Sequence, residues 1–151
     1  MTRAEMDRAM DEHFAYEAAD DIEGVLSTLT AEVTHDIVGW PTGPTRRRDN
    51  ARPFYNTLFA DMAESNIKTI KRLYGDDFLV DESLCECKAV GRPFGMEGQG
   101  RHVSFRMLHV LEFADDGKIK GENVWIDFAA LMQQLSPVQP LSPEGPQVQQ
   151  Q

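Results

Sequence analysis

The feature that most constrains this chain is a switch in the spacing of its apolar residues at Ser65-Asn66. Before it, apolar side chains return every three or four residues, as one face of a helix requires; after it they alternate, as a half-buried strand requires. Thr2 and Glu5 have capping-box spacing, and Met6, Met10, His13, Phe14 and Glu17 follow along one stripe. Asp20-Asp21 interrupts that stripe and caps a second short helix from Ile22 to about Leu29. Val33 to Trp40 is rich in β-branched residues and reads as a strand set among the helices. After the turn-rich PTGPTRRRD, Asp49 caps a helix over Ala51 to Glu64, with Phe54, Leu58, Phe59 and Met62 as its apolar positions.

Beyond the switch, Ile67 to Tyr74, Phe78 to Val90, Val103 to Phe113 and Ile119 to Ile126 read as strands. Gly75-Asp76-Asp77 and Asp115-Asp116-Gly117 make hairpin turns, and GRPFGMEGQGR is a longer glycine-rich loop. A short helix, Phe128 to Leu135, closes a single domain over residues 1–135. Residues 136–151 carry four of the eight prolines and almost nothing to bury, which predicts a disordered tail. Helices segregated from a run of antiparallel strands predict an α+β fold. A bent sheet closed by helices makes a cone, and a cone has an interior.

With 25 acidic against 15 basic residues the net charge is −10, which repels a phosphate backbone and sets nucleic acid aside as a partner. No apolar run approaches the roughly 18–20 residues that span a bilayer, and MTRAEMDRAMDEHF offers no signal-peptide core, so a cytoplasmic location is expected. Cys85 and Cys87 share one strand face, a poor geometry for a disulfide, and nothing beside them completes a metal set. Two reduced thiols, no metal and no cofactor are the expectation.

What faces the interior can be read from the Val103–Phe113 strand. Val103, Phe105, Met107, His109, Leu111 and Phe113 lie on one side, an apolar row broken by one histidine. Buried there, His109 is expected to stay neutral and to serve as a hydrogen-bond donor. His35 and Asp36 are adjacent on a strand, so one points in and the other out. His13, on the apolar stripe of the first helix, is a third candidate.

The segment AADDIEGVLSTLTAEVTHDIVGWPTGP resembles the opening of the NTF2-like superfamily in its ketosteroid isomerase branch, including the strand ending Asp36-Ile37-Val38-Gly39. The segment GRHVSFRMLHVLEFADDGKIKGENVWIDFAALMQQL resembles the SnoaL-like polyketide cyclases of the same superfamily, with His109 placed before the turn Asp116-Gly117-Lys118-Ile119. The resemblance runs nearly to Leu135 and implies the cone fold and a homodimer through the open sheet face. It also assigns roles: the isomerase base falls on Asp36, its first-helix tyrosine on His13 and its second donor on His109. Where the cyclases and limonene epoxide hydrolases carry an acid/base aspartate on the last strand, this chain has Val124, and Glu122 on the same face is the nearest carboxylate.

The function that follows is a small cofactor-independent isomerase, cyclase or lyase acting on an apolar ring-bearing carbonyl compound. Asp36 would abstract a proton while His109 and His13 donate to the developing enolate oxygen. Tyr55, Tyr74, Phe105, Met107, Val124 and Trp125 are expected to line the pocket. Two alternatives remain: a non-catalytic ligand-binding or dimerisation module of the same fold, and epoxide-hydrolase-like chemistry through Glu122. The feature that separates enzyme from module is whether Asp36, His109 and His13 face one cavity; an Asp36 on the solvent face would count against the enzyme reading itself and favour the module.

Overall fold

A computed structural model describes residues 1–40 and 42–136. The expected tail therefore lies, apart from Ser136, outside the described residues. Two helices, α1 (Arg3–Ala18) and α2 (Ile22–Ser27), lead into strand β1 (Leu29–Ile37), a two-residue strand β2 (Thr45–Arg46) and helix α3 (Arg48–Asp61). Four long strands follow, β3 (Met62–Tyr74), β4 (Phe78–Ala89), β5 (Arg101–Phe113) and β6 (Ile119–Ile126), and helix α4 (Phe128–Leu135) closes the domain.

The caps form as the sequence spacing requires. The Thr2 hydroxyl accepts from the Glu5 amide while the Glu5 carboxylate accepts from the Thr2 amide at 2.7 Å. Asp21 and Asp127 accept from amides three residues on, at 2.9 and 3.0 Å. The helix expected from Ala51 with Asp49 as its cap begins three residues earlier, at Arg48, and its cap residue Arg47 supplies no side-chain bond. Its end also comes sooner: Met62 is already extended, so residues 62–64 belong to β3 rather than α3.

The six strands make one curved sheet in the order β2-β1-β6-β5-β4-β3. All neighbours are antiparallel except β1 and β6. Register fixes which side chains share a row on the concave face. His35 stands beside Glu122, Glu122 opposite Leu111, and Leu111 opposite Leu79. In the adjacent row Ile37 stands beside Val124, Val124 opposite His109, His109 opposite Asp81, and Asp81 opposite Arg72. Two apolar clusters fill the concavity. One packs α1 and α2 through Met6, Met10, Phe14, Val25 and Leu26 against Leu79, Leu111 and Phe113. The other packs Leu131 and Leu135 of α4 against Cys85, Val103, Phe105 and Met107. Both cysteines are free and buried.

Candidate functional site

An apolar cleft opens between these clusters. Its walls are Phe54, Leu58, Phe59, Phe105, Met107 and Val124, among others, and its polar residues include Glu17, His109 and Glu122. Phe94, from the glycine-rich loop between β4 and β5, completes the wall and stacks edge-on against Trp40 and Phe128 at 5.2 and 4.6 Å. That loop therefore sits at the rim.

Glu122 is the centre of the polar group. It is 1% exposed, and β6 turns it inward on the same face as Val124, while Lys120 and Trp125 face out. One carboxylate oxygen accepts the Tyr55 hydroxyl at 3.1 Å and lies 3.9 Å from His35 Nε2. The other lies 3.3 Å from His13 Nε2, which stands the same 3.3 Å from Glu17. His13 is held from behind. The Thr28 hydroxyl donates to the Val25 carbonyl at 2.6 Å, so it accepts from His13 Nδ1 at 2.8 Å and fixes a proton on that nitrogen.

These contacts set the charges. Burial alone would drive His13 toward its neutral form, but the Glu122 and Glu17 carboxylates outweigh it and push its pKa up to about 10. Burial would likewise raise Glu122; the His13 charge beside it, then His35 and His109, hold it well below the usual carboxylate range. Tyr55 is pushed well above the ordinary phenol, by burial first and then by Glu122. His109 goes the other way. Burial lowers its pKa despite Glu17 and Glu122, and its Nδ1 has no hydrogen-bond partner. Its ring meets Phe14 edge-on at 5.1 Å. Glu122 and His109 are diagonal neighbours across β6 and β5, within reach of one bound molecule.

The expected residues distribute unevenly over this geometry. His109, Glu122, Phe105, Met107 and Val124 reach the cleft. Asp36 does not. Val33, His35 and Ile37 fill the interior side of β1, so Asp36 lies half-buried on the opposite face beside Asn123. His13 is wholly buried behind Glu122, outside the cleft lining, so a direct bond to substrate oxygen is corrected to contact through Glu122. Tyr55 stands behind the wall as a partner of Glu122. Tyr74 is also outside the cleft lining: its hydroxyl donates to Asp7 at 2.7 Å, tying β3 to α1. Trp125 is 44% exposed on the outer face, because it follows the inward Val124 by one residue.

Sequence reasoning passed over Glu17 and Thr28 as functional groups, and named His35 beside Asp36 as a candidate without giving it a role. Glu17 carried a signal, being a carboxylate on an otherwise apolar stripe four residues after His13. That His35 is the inward member of its pair was also signalled: Val33 and Ile37 share its parity, and two apolar neighbours at period two mark the inward face.

Residues 4–135 match the sequence pattern of the SnoaL-like polyketide cyclase family. Among curated proteins, none matches the sequence. The structure is similar to that of TsrD from Streptomyces laurentii, with a TM-score of 0.79 and 18% identity over 91% of this chain and 99% of that one. It is similar to a SnoaL-like polyketide cyclase, so described as putative, from Jannaschia sp. CCS1, with a TM-score of 0.79 and 14% identity over 90% and 94% of the two chains. An epoxide hydrolase of M. tuberculosis, described as LEH-like, gives a TM-score of 0.68 and 17% identity over 87% and 90%. At these identities the likeness establishes the NTF2-like cone. No helix among the described residues is long and apolar enough to cross a membrane.

Proposed function

Since the chain belongs to the SnoaL-like polyketide cyclase family, we propose that it is a small acid/base enzyme acting on an apolar ring-bearing carbonyl compound, with Glu122 rather than Asp36 as the base. The observation that carries this is the position of Glu122: an ionised carboxylate in the wall of an apolar cleft, diagonal to a histidine that burial keeps neutral. The cleft walls bind the ring by excluding water. His109 donates to the carbonyl oxygen without bringing a charge of its own, and Glu122 takes the proton from the adjacent carbon. His13 and Tyr55 are positioning residues. They fix the carboxylate from behind and leave its cleft side to the substrate.

The exact transformation, isomerisation, ring closure or elimination, follows from what the substrate carries beyond the enolised carbon. Enolisation is the step common to all three, and it is directly measurable. In deuterated buffer, a panel of cyclic ketones is expected to exchange the hydrogen next to the carbonyl faster with the protein than without it, read by proton NMR. Saturable ketone binding with no accelerated exchange across the panel would favour the binding-module alternative. The homodimer belongs to the same reading, supported by Leu108 and Trp125, cross-strand neighbours that are both exposed on the outer sheet face. Light scattering is expected to give twice the chain mass; a single-chain mass at micromolar concentration would remove the dimer and leave the chemistry untouched.

A further inference from the structure

His13 poses a question that the proposed reaction leaves open. Its Nδ1 hydrogen is committed to Thr28, whose own hydrogen is committed to Val25, so in the neutral ring Nε2 carries only a lone pair. Nε2 faces two carboxylate oxygens, from Glu17 and Glu122, with no water-exposed surface of its own. A bare lone pair held against two negative oxygens is repelled by both. A cation must therefore sit among these three atoms. A proton is one such cation. A metal ion is the other.

We propose that His13 Nε2, Glu17 and Glu122 form a binding site for a zinc-class first-row divalent ion, which takes the place of the His13 Nε2 proton. Three observations support this. First, a charge-assisted N–H···O bond is about 2.7–2.9 Å long, whereas both carboxylates stand at 3.3 Å from Nε2, outside hydrogen-bond geometry. Ligands at about 2.0–2.1 Å around a tetrahedral ion are separated by about 3.3–3.4 Å, the separation of His13 Nε2 from each carboxylate; all three ligand atoms lie within 4.8 Å of one another, so the two carboxylates close the third edge by a small side-chain shift. Second, the supporting bonds are those a metal-binding histidine and carboxylate need. Thr28 fixes the histidine tautomer from the far nitrogen, and Tyr55 holds the non-ligating oxygen of Glu122. Third, His35 Nε2 is buried, has no hydrogen-bond partner and is aimed at Glu122 from 3.9 Å. It is available as a further partner of the non-ligating carboxylate oxygen.

Glu17 and Glu122 both line the cleft, which gives the ion its way in and leaves an outward position for water. Binding is balanced by release of one proton, the one on His13 Nε2, to solvent. The ion and the acid/base step use the same carboxylate, so they exclude each other: an ion on Glu122 blocks the base. The inference rests on the cluster and not on the proposed reaction.

The test is a cobalt(II) titration of metal-stripped, untagged protein. One equivalent is expected to bind, with visible ligand-field absorption and without the intense near-ultraviolet band that ligation by Cys85 or Cys87 would give. Zinc competition against a chromophoric chelator is expected to weaken about a hundredfold or more in Glu17→Gln, which is nearly isosteric and preserves folding. It is expected to be unchanged in His102→Gln, a control for the histidine beside Glu64 and Cys87. Absence of stoichiometric binding, a thiolate band, or zinc binding that survives Glu17→Gln would each overturn the site. Accelerated ketone exchange in a protein that binds no ion would overturn this inference and leave the acid/base proposal standing. Stoichiometric ion binding with no exchange on any ketone would do the reverse.

Discussion

Asp81 and Glu122 are both fully buried carboxylates on the concave face, two strands apart, and they meet opposite kinds of partner. Asp81 accepts from Arg72 Nε and from the Thr69 hydroxyl, each at 2.8 Å. Arg72 continues to Asp7 and Asp11 of α1, at 2.9 and 2.6 Å. A guanidinium does not give up its proton in a protein, so this network carries a permanent charge and clamps α1 onto the sheet. Asp81 also stays out of the cleft lining. Glu122 is held instead by an imidazole, a phenol and the edge of a second imidazole, all groups that can exchange protons, and it opens onto the cleft. Burial and charge alone do not distinguish a structural carboxylate from a reactive one. The partner's ability to titrate, and access to a ligand-sized space, do.

Breaking the clamp should cost stability and spare the chemistry. Asp81→Ala removes the sheet partner of Arg72, which keeps Asp7 and Asp11 on α1, so the loss is that of charge-assisted hydrogen bonds, about 1.5–3 kcal/mol. Urea denaturation should show that loss, while ketone exchange per folded molecule stays within a few-fold of the parent. If exchange collapsed in a variant still folded, the division between the two carboxylates would be wrong.

The next effect is a pH dependence set by His109. Its folded pKa lies below the ordinary value of about 6.5 because burial penalises the charged ring. Above about pH 6.5 both folded and unfolded chains hold it neutral, and its contribution to stability is complete. As pH falls below 6.5 the unfolded chain takes up the proton first, so stability declines by at most about 1.4 kcal/mol per pH unit until the folded pKa is reached. His109→Phe should remove that component of the slope. Parallel parent and variant profiles between pH 6.5 and 5 would show that the histidine does not titrate as its burial requires.

The smallest effect is expected at Asp36. It is half-buried on the far side of β1, away from the cleft, and Asp36→Asn should change stability by no more than about 0.5 kcal/mol. Thermal unfolding of the variant measures this directly.

Much of the cone was legible because apolar period is a local property. The stripe from Met6 to Glu17, the four long strands and the caps at Thr2, Asp21 and Asp127 all follow from neighbours within a few residues. The inward row around His109 followed from strand alternation alone. Parity on β1 was equally readable, since Val33 and Ile37 mark the inner face, yet the family resemblance favoured Asp36 over that simpler rule. What no local pattern reveals is a meeting between distant segments. The contact of α1 with β6 that joins His13 to Glu122, and that of α3 with β6 that brings Tyr55 to the same carboxylate, depend on how the sheet curves around the helices. Trp125 and Val124 show the converse: neighbours in sequence, separated by the whole thickness of the sheet.

The central claim is that Glu122, and not Asp36, moves the proton. It is tested most directly by measuring deuterium exchange into one responsive cyclic ketone with Glu122→Gln and Asp36→Asn side by side, each checked for folding by circular dichroism. Glu122→Gln is nearly isosteric, so loss of the base rather than of shape is read, and exchange is expected to fall about 10²–10⁴-fold, with Asp36→Asn within about threefold of the parent, as a residue outside the cleft requires. Exchange that survives in folded Glu122→Gln and is lost in folded Asp36→Asn would contradict the account.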